Sequence, residues 1–458
     1  MQLSIDALEN FEQNPDKLFF YDLNNSYSGK ECLASITDKV NHLKSLKVNS
    51  IAINMQNSFE WVMWYLAANS ACSSTYLISS DFGNQTLEKI IEDNNIQFLV
   101  QKDSHIITKN RCLSSTSMVD VIFTSGTTSF PKGVVVEEKT FLHVAKSLIK
   151  ETSQNKNDLE LLSMPFDRSF GLARLRTCIL SGCSALVVNG LKSFPEIYSF
   201  SQQNPITGLS LVPSALQVII LQLRKKANVF TKNVRYLELG SSALIEGQFE
   251  WIKKHLSKSF VLHHYGMTEC SRAFIKRLDK LDTYKKNIGK KLDGVEFKIL
   301  KINKNDNHGE LLLKGKNLFS SYLDKNQTKK VFKDEWYCSG DICAKRDNEI
   351  FLIGRSDNQL NIGAAKVQAE TIERLIESID FVEESLCFEL PDKILGNAVC
   401  SLIKTSLSIS EIKNSMKELF KEYPSYYFPS KIKIVDSIPK TFNGKKERKK
   451  DNLIKIFT

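Results

Sequence analysis

The chain has 458 residues, 42% hydrophobic and 25% charged, an ordinary globular composition that exceeds what one core organises, so two or three domains are expected. The net charge is +10, and residues 431–458 hold nine basic and three acidic side chains; this suits polyanions such as a nucleotide, coenzyme A or an acidic carrier protein, and no nucleic-acid motif accompanies it. Ten cysteines lack a CxxC pair, Met1 opens a polar segment without an apolar signal core, and the apolar run 209–223 is too short and interrupted to span a bilayer; a reduced, cytoplasmic protein without a membrane span or metal-thiolate framework is expected.

In chain order, Ser50-Ile51-Ala52-Ile53-Asn54 reads as a buried strand, 59–71 as a helix and 97–100 as a second strand. Val121-Ile122-Phe123 leads into a loop, and residues 185–188, 210–212 and 235–239 supply further strands near helical stretches. Such alternation predicts α/β layers with parallel pairing. From about 297 to 353 the apolar runs shorten and crowd together (298–300, 310–313, 350–353), which predicts a mostly β subdomain. Beyond Arg355 the pattern turns to helices over 369–379 and 408–420 and a strand over 431–435, with a domain boundary placed near Asp357. Internal repeats and low-complexity tracts are absent from the sequence.

The strongest chemical signal is Thr124-Ser125-Gly126-Thr127-Thr128-Ser129-Phe130-Pro131-Lys132-Gly133. Small hydroxyl residues around a glycine let backbone N–H and side-chain O–H groups approach phosphate oxygens, and a lysine adds a compact positive charge. A plain Ser/Thr-rich loop would not explain why Pro-Lys-Gly closes the run. The GxxxxGK[ST] pattern of a Walker A loop is absent.

This run resembles the phosphate loop of the adenylate-forming (AMP-binding) superfamily, which includes acyl-CoA synthetases, acyl-carrier-protein ligases, peptide-synthetase adenylation domains and luciferases. Four further motifs follow in that superfamily's order. His264-Tyr265-Gly266-Met267-Thr268-Glu269 resembles YGxTE, and Trp336-Tyr337-Cys338-Ser339-Gly340-Asp341 resembles WxxTGD. Gly354-Arg355-Ser356-Asp357 resembles GRxD, and Pro439-Lys440-Thr441-Phe442-Asn443-Gly444-Lys445 resembles PKTxxGK. The resemblance implies a large N-terminal domain (1–356) of layered α/β sheets plus a small β-barrel, then a small mobile α+β domain (357–458). It implies an ATP-dependent ligase that joins AMP to a carboxylic acid, releases pyrophosphate, and passes the acyl group to a phosphopantetheine thiol.

The resemblance also implies roles. Thr124, Ser125, Gly126, Thr127, Thr128 and Lys132 would hold the ATP phosphates. Thr268 would hydrogen-bond the α-phosphate, and Glu269 would hold Mg2+ bridging phosphate oxygens. Gly240, Ser241, Ser242, His264, Tyr265 and Gly266 would form the adenine side, with Tyr265 stacking on the base. Asp341 would accept from the ribose hydroxyls, and Arg355 would reach the ribose or phosphates. Lys445 would be the main catalytic group, bridging carboxylate and α-phosphate. Asp357 would be the hinge about which the C-terminal domain turns between the two half-reactions.

Several positions depart from the pattern. Ser129 replaces a glycine, Ser339 replaces a threonine, and Ser320-Ser321-Tyr322 stands where Gly-Tyr is common, without a consequence visible in sequence. Gly363 and Ala364 fall on the segment that lines the pantetheine tunnel in the family, and Ala364 replaces a second glycine, so its methyl would narrow the tunnel and favour a carrier protein in trans over coenzyme A. Asp167, Phe170 and Gly171 fall in the acyl pocket. Phe166-Asp167-Arg168-Ser169 matches the FDxS pattern of amino-acid activators, whose aspartate pairs with an ammonium; Arg168, Arg174 and Arg176 could instead neutralise Asp167. The substrate therefore stays open between a small acyl acid and an amino acid, and the acceptor between coenzyme A and an acyl carrier protein. A nucleotide-binding protein without chemistry is the non-enzymatic alternative.

Overall fold

The computed structural model describes the chain except Met1, Asp103, 108–118, 125–129, 245–246, Lys286, 302–307, 356–358, Ala364, 440–445, 447–449 and Thr458, and except the side chains of 353–355, 359, 366, 368, 370 and 450–452. Two large sheets form the N-terminal layers. The first has nine strands, and its centre is parallel: Phe260–Met267, Tyr236–Leu239, Gly208–Leu211, Leu159–Leu162, Ser184–Val187 and Leu18–Tyr21, in that order. The second has seven, with Val119–Thr124, Ser74–Leu77, Ser50–Ile53 and Phe98–Gln101 parallel at its centre. Central strands read as continuous apolar runs because both faces are covered.

A five-stranded antiparallel sheet follows, built from Val295–Lys301, His308–Gly315, Phe332–Lys333, Trp336–Arg346 and Glu349–Arg355. It matches the β-rich stretch expected from sequence. The last part holds a hairpin (Gln359–Ile362 with Ala365–Gln368), helices Ala369–Glu377 and Ile409–Leu419, and a sheet of Val382–Asp392, Gly396–Thr405 and Lys431–Ile434. Its apolar clusters are its own: Val367, Ile372, Ile376 and Met416 pack with one another, while the clusters of the earlier layers end at Ile350.

Two helices are buried on every side, the expected one over 59–71 and a second after Arg168. Phe59–Ala71, capped by Ser58 accepting from the Trp61 amide, is buried from Trp61 to Asn69. Ser169–Ser181 is buried from Phe170 to Ile179 and ends at Gly182, whose φ of 65° suits a left-handed cap. A helix buried all round lies inside a layered core.

The second helix carries two arginines into that core. Arg174 donates to Glu160 at 2.8 and 2.6 Å and stands 3.4 Å from Glu238, both on the nine-stranded sheet. Arg176 pairs with Asp120 of the seven-stranded sheet and donates to the Tyr65 hydroxyl at 2.9 Å, which itself donates to Asp120 at 2.6 Å. Arg174, Glu160 and Asp120 are 0% exposed. These arginines do not neutralise Asp167; they tie the helix to both sheets.

Breaking one such pair leaves a charge buried alone. Arg176→Met is expected to destabilise the protein by about 3–5 kcal/mol in urea unfolding, and Arg176→Met with Asp120→Leu to recover most of that loss. A single variant as stable as the parent would show that the pair carries no structural weight.

Candidate active site

Antiparallel pairing of Val119–Thr124 with Lys132–Glu137 sets Thr124 opposite Lys132 at one end of the seven-stranded sheet. Residues 125–129, with Ser125, Gly126, Thr127 and Thr128, lie outside the described residues. The short strand Ser321–Tyr322 extends the same sheet beside Lys132–Glu137. It brings the Tyr322 ring to 5.7 Å from Lys132 Nζ, and its hydroxyl donates to Glu269 Oε1 at 2.8 Å. The position without a visible consequence in sequence thus anchors the proposed metal ligand.

Thr268 and Glu269 form the tight turn between Phe260–Met267 and Cys270–Arg277, whose register pairs Met267 with Cys270. Thr268 Oγ1 lies 3.5 Å from Ser169 Oγ at the start of the buried helix. Thr124, Lys132, Thr268 and Glu269 all line one cavity of about 510 Å3, together with Phe170, Gly171, Ser241, His264 and Gly266. Asp81, Arg168, Arg272, Glu310 and Lys330 add charges to its wall, and Ala365 and Tyr426 reach it from the C-terminal part.

The floor of the cavity is ionic. Arg272 donates to Glu238 at 3.0 Å and to the carbonyls of Ser169 at 3.1 Å and Phe170 at 3.2 Å, with its guanidinium over the Phe170 ring. His264 Nδ1 stands 2.7 Å from the same Glu238, and its ring meets Phe170 edge-on at 4.8 Å. Burial opposes ionisation of Glu238, yet Arg272, His264 and Arg174 together hold its carboxyl well below the ordinary range. Burial, then Arg272, push His264 down, so it is a neutral imidazole near neutral pH. Gly240 belongs here: a Cβ would stand 2.0 Å from the His264 ring, so only glycine lets the chain pass. Arg272 itself holds a left-handed φ of 54°, an uncommon conformation outside glycine that concentrates at functional sites.

Other expected site residues are placed differently. Tyr265 donates its hydroxyl to Asp341 Oδ2, and neither side chain lines the cavity, although Gly266 and Gly340 beside them do. Ser242 accepts from His263 Nε2 at 2.8 Å through its carbonyl. Asp167 is 8% exposed, does not line the cavity, and has Arg168 Nε 3.9 Å away; among the described residues its Oδ1 has no hydrogen-bond partner. Gly363 turns the C-terminal hairpin at φ 57°, with Ser214 Oγ 3.6 Å from where a Cβ would stand. The side chain of Arg355, and Asp357, Ala364 and Lys445, lie outside the described residues. Arg272, Glu310, Lys330 and Tyr426 had no signal in a single sequence; distant pairing brings them here.

Among the described residues no group of three His, Cys, Asp or Glu side chains gathers to hold a metal. A single carboxylate such as Glu269 fits Mg2+, which is commonly held by one or two carboxylates plus substrate phosphates.

Burial pushes His263 down to about 3, with its bond to Ser242 only partly offsetting this. The folded state then refuses a proton that the unfolded chain takes, so stability present above about pH 6.5 falls as pH drops towards 3. His263→Gln is expected to flatten the fall of thermal midpoint between pH 6.5 and 4; an unchanged profile would remove His263 as its source.

Residues 102–323 match the AMP-binding enzyme family. The chain is 26% identical over 436 residues, 89% of each chain, to a 2-succinylbenzoate–CoA ligase of Staphylococcus epidermidis. It is 25% identical to a medium/long-chain-fatty-acid–[acyl-carrier-protein] ligase of Mycobacterium tuberculosis over 75% of this chain and 67% of that one. In structure it resembles o-succinylbenzoate CoA synthetase of Bacillus subtilis, at 19% identity in both states: TM-score 0.81 to a double mutant bound with a product analogue (97% of this chain, 96% of that one) and 0.69 to the AMP complex (96% of each). With its layered sheets, its ordered motifs and this cavity, the chain is similar to the adenylate-forming, AMP-binding enzymes, whose family model it matches over residues 102–323.

Proposed function

We propose that this chain is an AMP-forming acid–thiol ligase. The observation that carries the reading is the convergence of Thr124, Lys132, Thr268 and Glu269 on one cavity that Ala365 and Tyr426 close from the C-terminal part. In the first half-reaction a carboxylate oxygen of the acid attacks the α-phosphorus of ATP, forming the acyl–AMP bond as the bond to pyrophosphate breaks. Lys132 and Thr124, with the 125–129 loop, hold the phosphates, and Thr268 donates to the α-phosphate. Mg2+ on Glu269 would supply charge neutralisation when bound; Tyr322 holds that carboxylate in place. Lys445 bridges the two anions as they meet. In the second half-reaction a phosphopantetheine thiolate attacks the acyl carbon and AMP leaves.

We assign the hinge to Asp357 and the domains to 1–356 and 357–458; the separate apolar clusters support that division. The closer likeness to a product-analogue complex than to an AMP complex of the same synthetase supports reading this arrangement as the one for thiol transfer. For the acid, Asp167 lies away from the cavity lining and beside Arg168, which favours a small acyl acid over an amino acid. Coenzyme A and an acyl carrier protein in trans both bring the required arm, and relatives of each kind are found; the methyl of Ala364 tilts the reading towards the carrier. Among the described residues no helix is long and apolar enough to cross a membrane.

The test is acid-dependent ATP–pyrophosphate exchange against separate pools of fatty, aryl, hydroxy and amino acids. Exchange with an acyl pool is expected; exchange confined to amino acids would overturn the acyl assignment, and silence across all pools would favour a protein that binds nucleotide without chemistry. Lys445→Ala should lower exchange by about 10²–10³-fold while a supplied acyl-adenylate still reacts with its thiol. Equal loss of both half-reactions would sink the two-state arrangement.

A further inference from the structure

Behind the turn that carries Thr268 lies a second, smaller cavity of about 20 Å3. One side of its wall is apolar, with Ile122, Phe141 and Phe319; the other carries Asn317 and the hydroxyl residues Ser169, Thr268 and Ser271. Those three hydroxyl residues line the large cavity as well, so they form the partition between the two spaces. Asn317 is 1% exposed. Its Nδ2 donates to the Ser271 carbonyl at 3.0 Å, which fixes the amide's orientation, since a flip would set two oxygens against each other. Among the described residues its Oδ1 has no hydrogen-bond partner. A buried amide oxygen left without a donor is costly, and an ordered water commonly meets such an atom. A cavity needs roughly 10–15 Å3 and a few polar partners to hold a water. This one offers about 20 Å3, with Asn317, Ser169 and Thr268 on its wall.

The segment that starts at Asn317 braces the same turn at several points. Asn317 holds the Ser271 carbonyl, the Phe319 amide donates to the Glu269 carbonyl at 2.8 Å, and the Tyr322 hydroxyl donates to Glu269 Oε1 at 2.8 Å. The Thr268 hydroxyl is not reached directly. Its contact with Ser169 Oγ, at 3.5 Å, is too long to fix an O–H rotor. We infer that the small cavity is a site for one buried water and that Asn317 is a positioning residue acting through it on Thr268. The water donates one proton to Asn317 Oδ1 and the other to Thr268 Oγ1. A hydroxyl has one proton and two lone pairs, so a donor behind it sets where its own proton points. The Thr268 proton is thereby turned towards the large cavity, where the α-phosphate would lie. The role of Thr268 rests on the ligase reading; the water site does not.

The experiment uses the full chain: wild type, Asn317→Leu, Ala173→Val, Thr268→Val, and Thr268→Val combined with Asn317→Leu. Ala173 lines the small cavity and not the large one. Its added methyls take the place of the water while Asn317 and Thr268 stay, which keeps the test open if Asn317→Leu folds poorly. A high-resolution crystal structure of the wild type is expected to show one water within hydrogen-bond reach of both Asn317 Oδ1 and Thr268 Oγ1, and that of Ala173→Val to show none. In acid-dependent pyrophosphate exchange, Asn317→Leu and Ala173→Val should each lower kcat about tenfold, short of the roughly 10²–10³-fold that outright removal of such a donor costs. The KM for ATP should stay unchanged, because the contact gains its strength in the transition state. Thr268→Val with Asn317→Leu should be no slower than Thr268→Val alone, since residues that act through one another are non-additive. A wild-type structure without a water at this place would overturn the site. A water present with kcat unchanged in both variants, or losses that multiply in the double variant, would overturn the positioning role. A wild type that shows no pyrophosphate exchange with any acid would defeat the ligase reading, while the crystal structures would still decide the water site.

Discussion

One wall of the cavity hangs on one helix held between two sheets by charge. Ser169–Ser181 has no solvent face, and its two arginines reach opposite ways, Arg174 to Glu160 and Glu238, Arg176 to Asp120. Buried ion pairs rarely add much net stability, because desolvation offsets most of the attraction. What they add here is orientation. The pairs set the rotation of the helix about its axis, and with it the direction of the Ser169–Gly171 end that forms the cavity wall. Gly171 shows how close that fit is: a Cβ there would come within 2.4 Å of two carbonyl oxygens, those of Met164 and Pro165.

The same network continues under the Ser241 and His264 side of the cavity. Glu238 receives Arg272 as well as Arg174, and Arg272 returns to the helix through the carbonyls of Ser169 and Phe170. The floor is therefore a closed circuit from helix to sheet and back to helix, through strand Cys270–Arg277. The opposite side is fixed separately, through Tyr322 and the hairpin that carries Thr124 and Lys132. Two independently braced walls facing a common space make a preorganised site, in which donors need little rearrangement as charge develops.

Sequence showed the outline of this molecule and little of its bracing. Motifs survive in a single chain because chemistry restricts both residue type and spacing, so Thr124, Lys132, Thr268 and Glu269 could be named before any fold was known. Strands such as 50–54 and helices such as 59–71 followed from apolar runs, although the all-round burial of the latter did not. What stayed hidden was pairing at a distance. Arg174 and Arg176 stand seven and nine positions from Asp167, yet their partners lie 14 and 56 residues away in sequence. Tyr322 meets Glu269 across 53 residues. No local pattern encodes such meetings, which depend on which strand lies beside which.

The closed circuit also limits how this protein can diverge. Glu160, Arg174, Glu238 and Arg272 share one dry volume, so a neutral replacement at any of them strands a partner's charge in the interior. Paths that change one letter at a time pass through badly folded intermediates, whereas paired replacements do not. Drift beneath the cavity should therefore be slow and correlated, while Asp81, Glu310 and Lys330 on the wetter wall are free to vary singly. New substrate preference would arise on that wall, above a foundation that seldom moves.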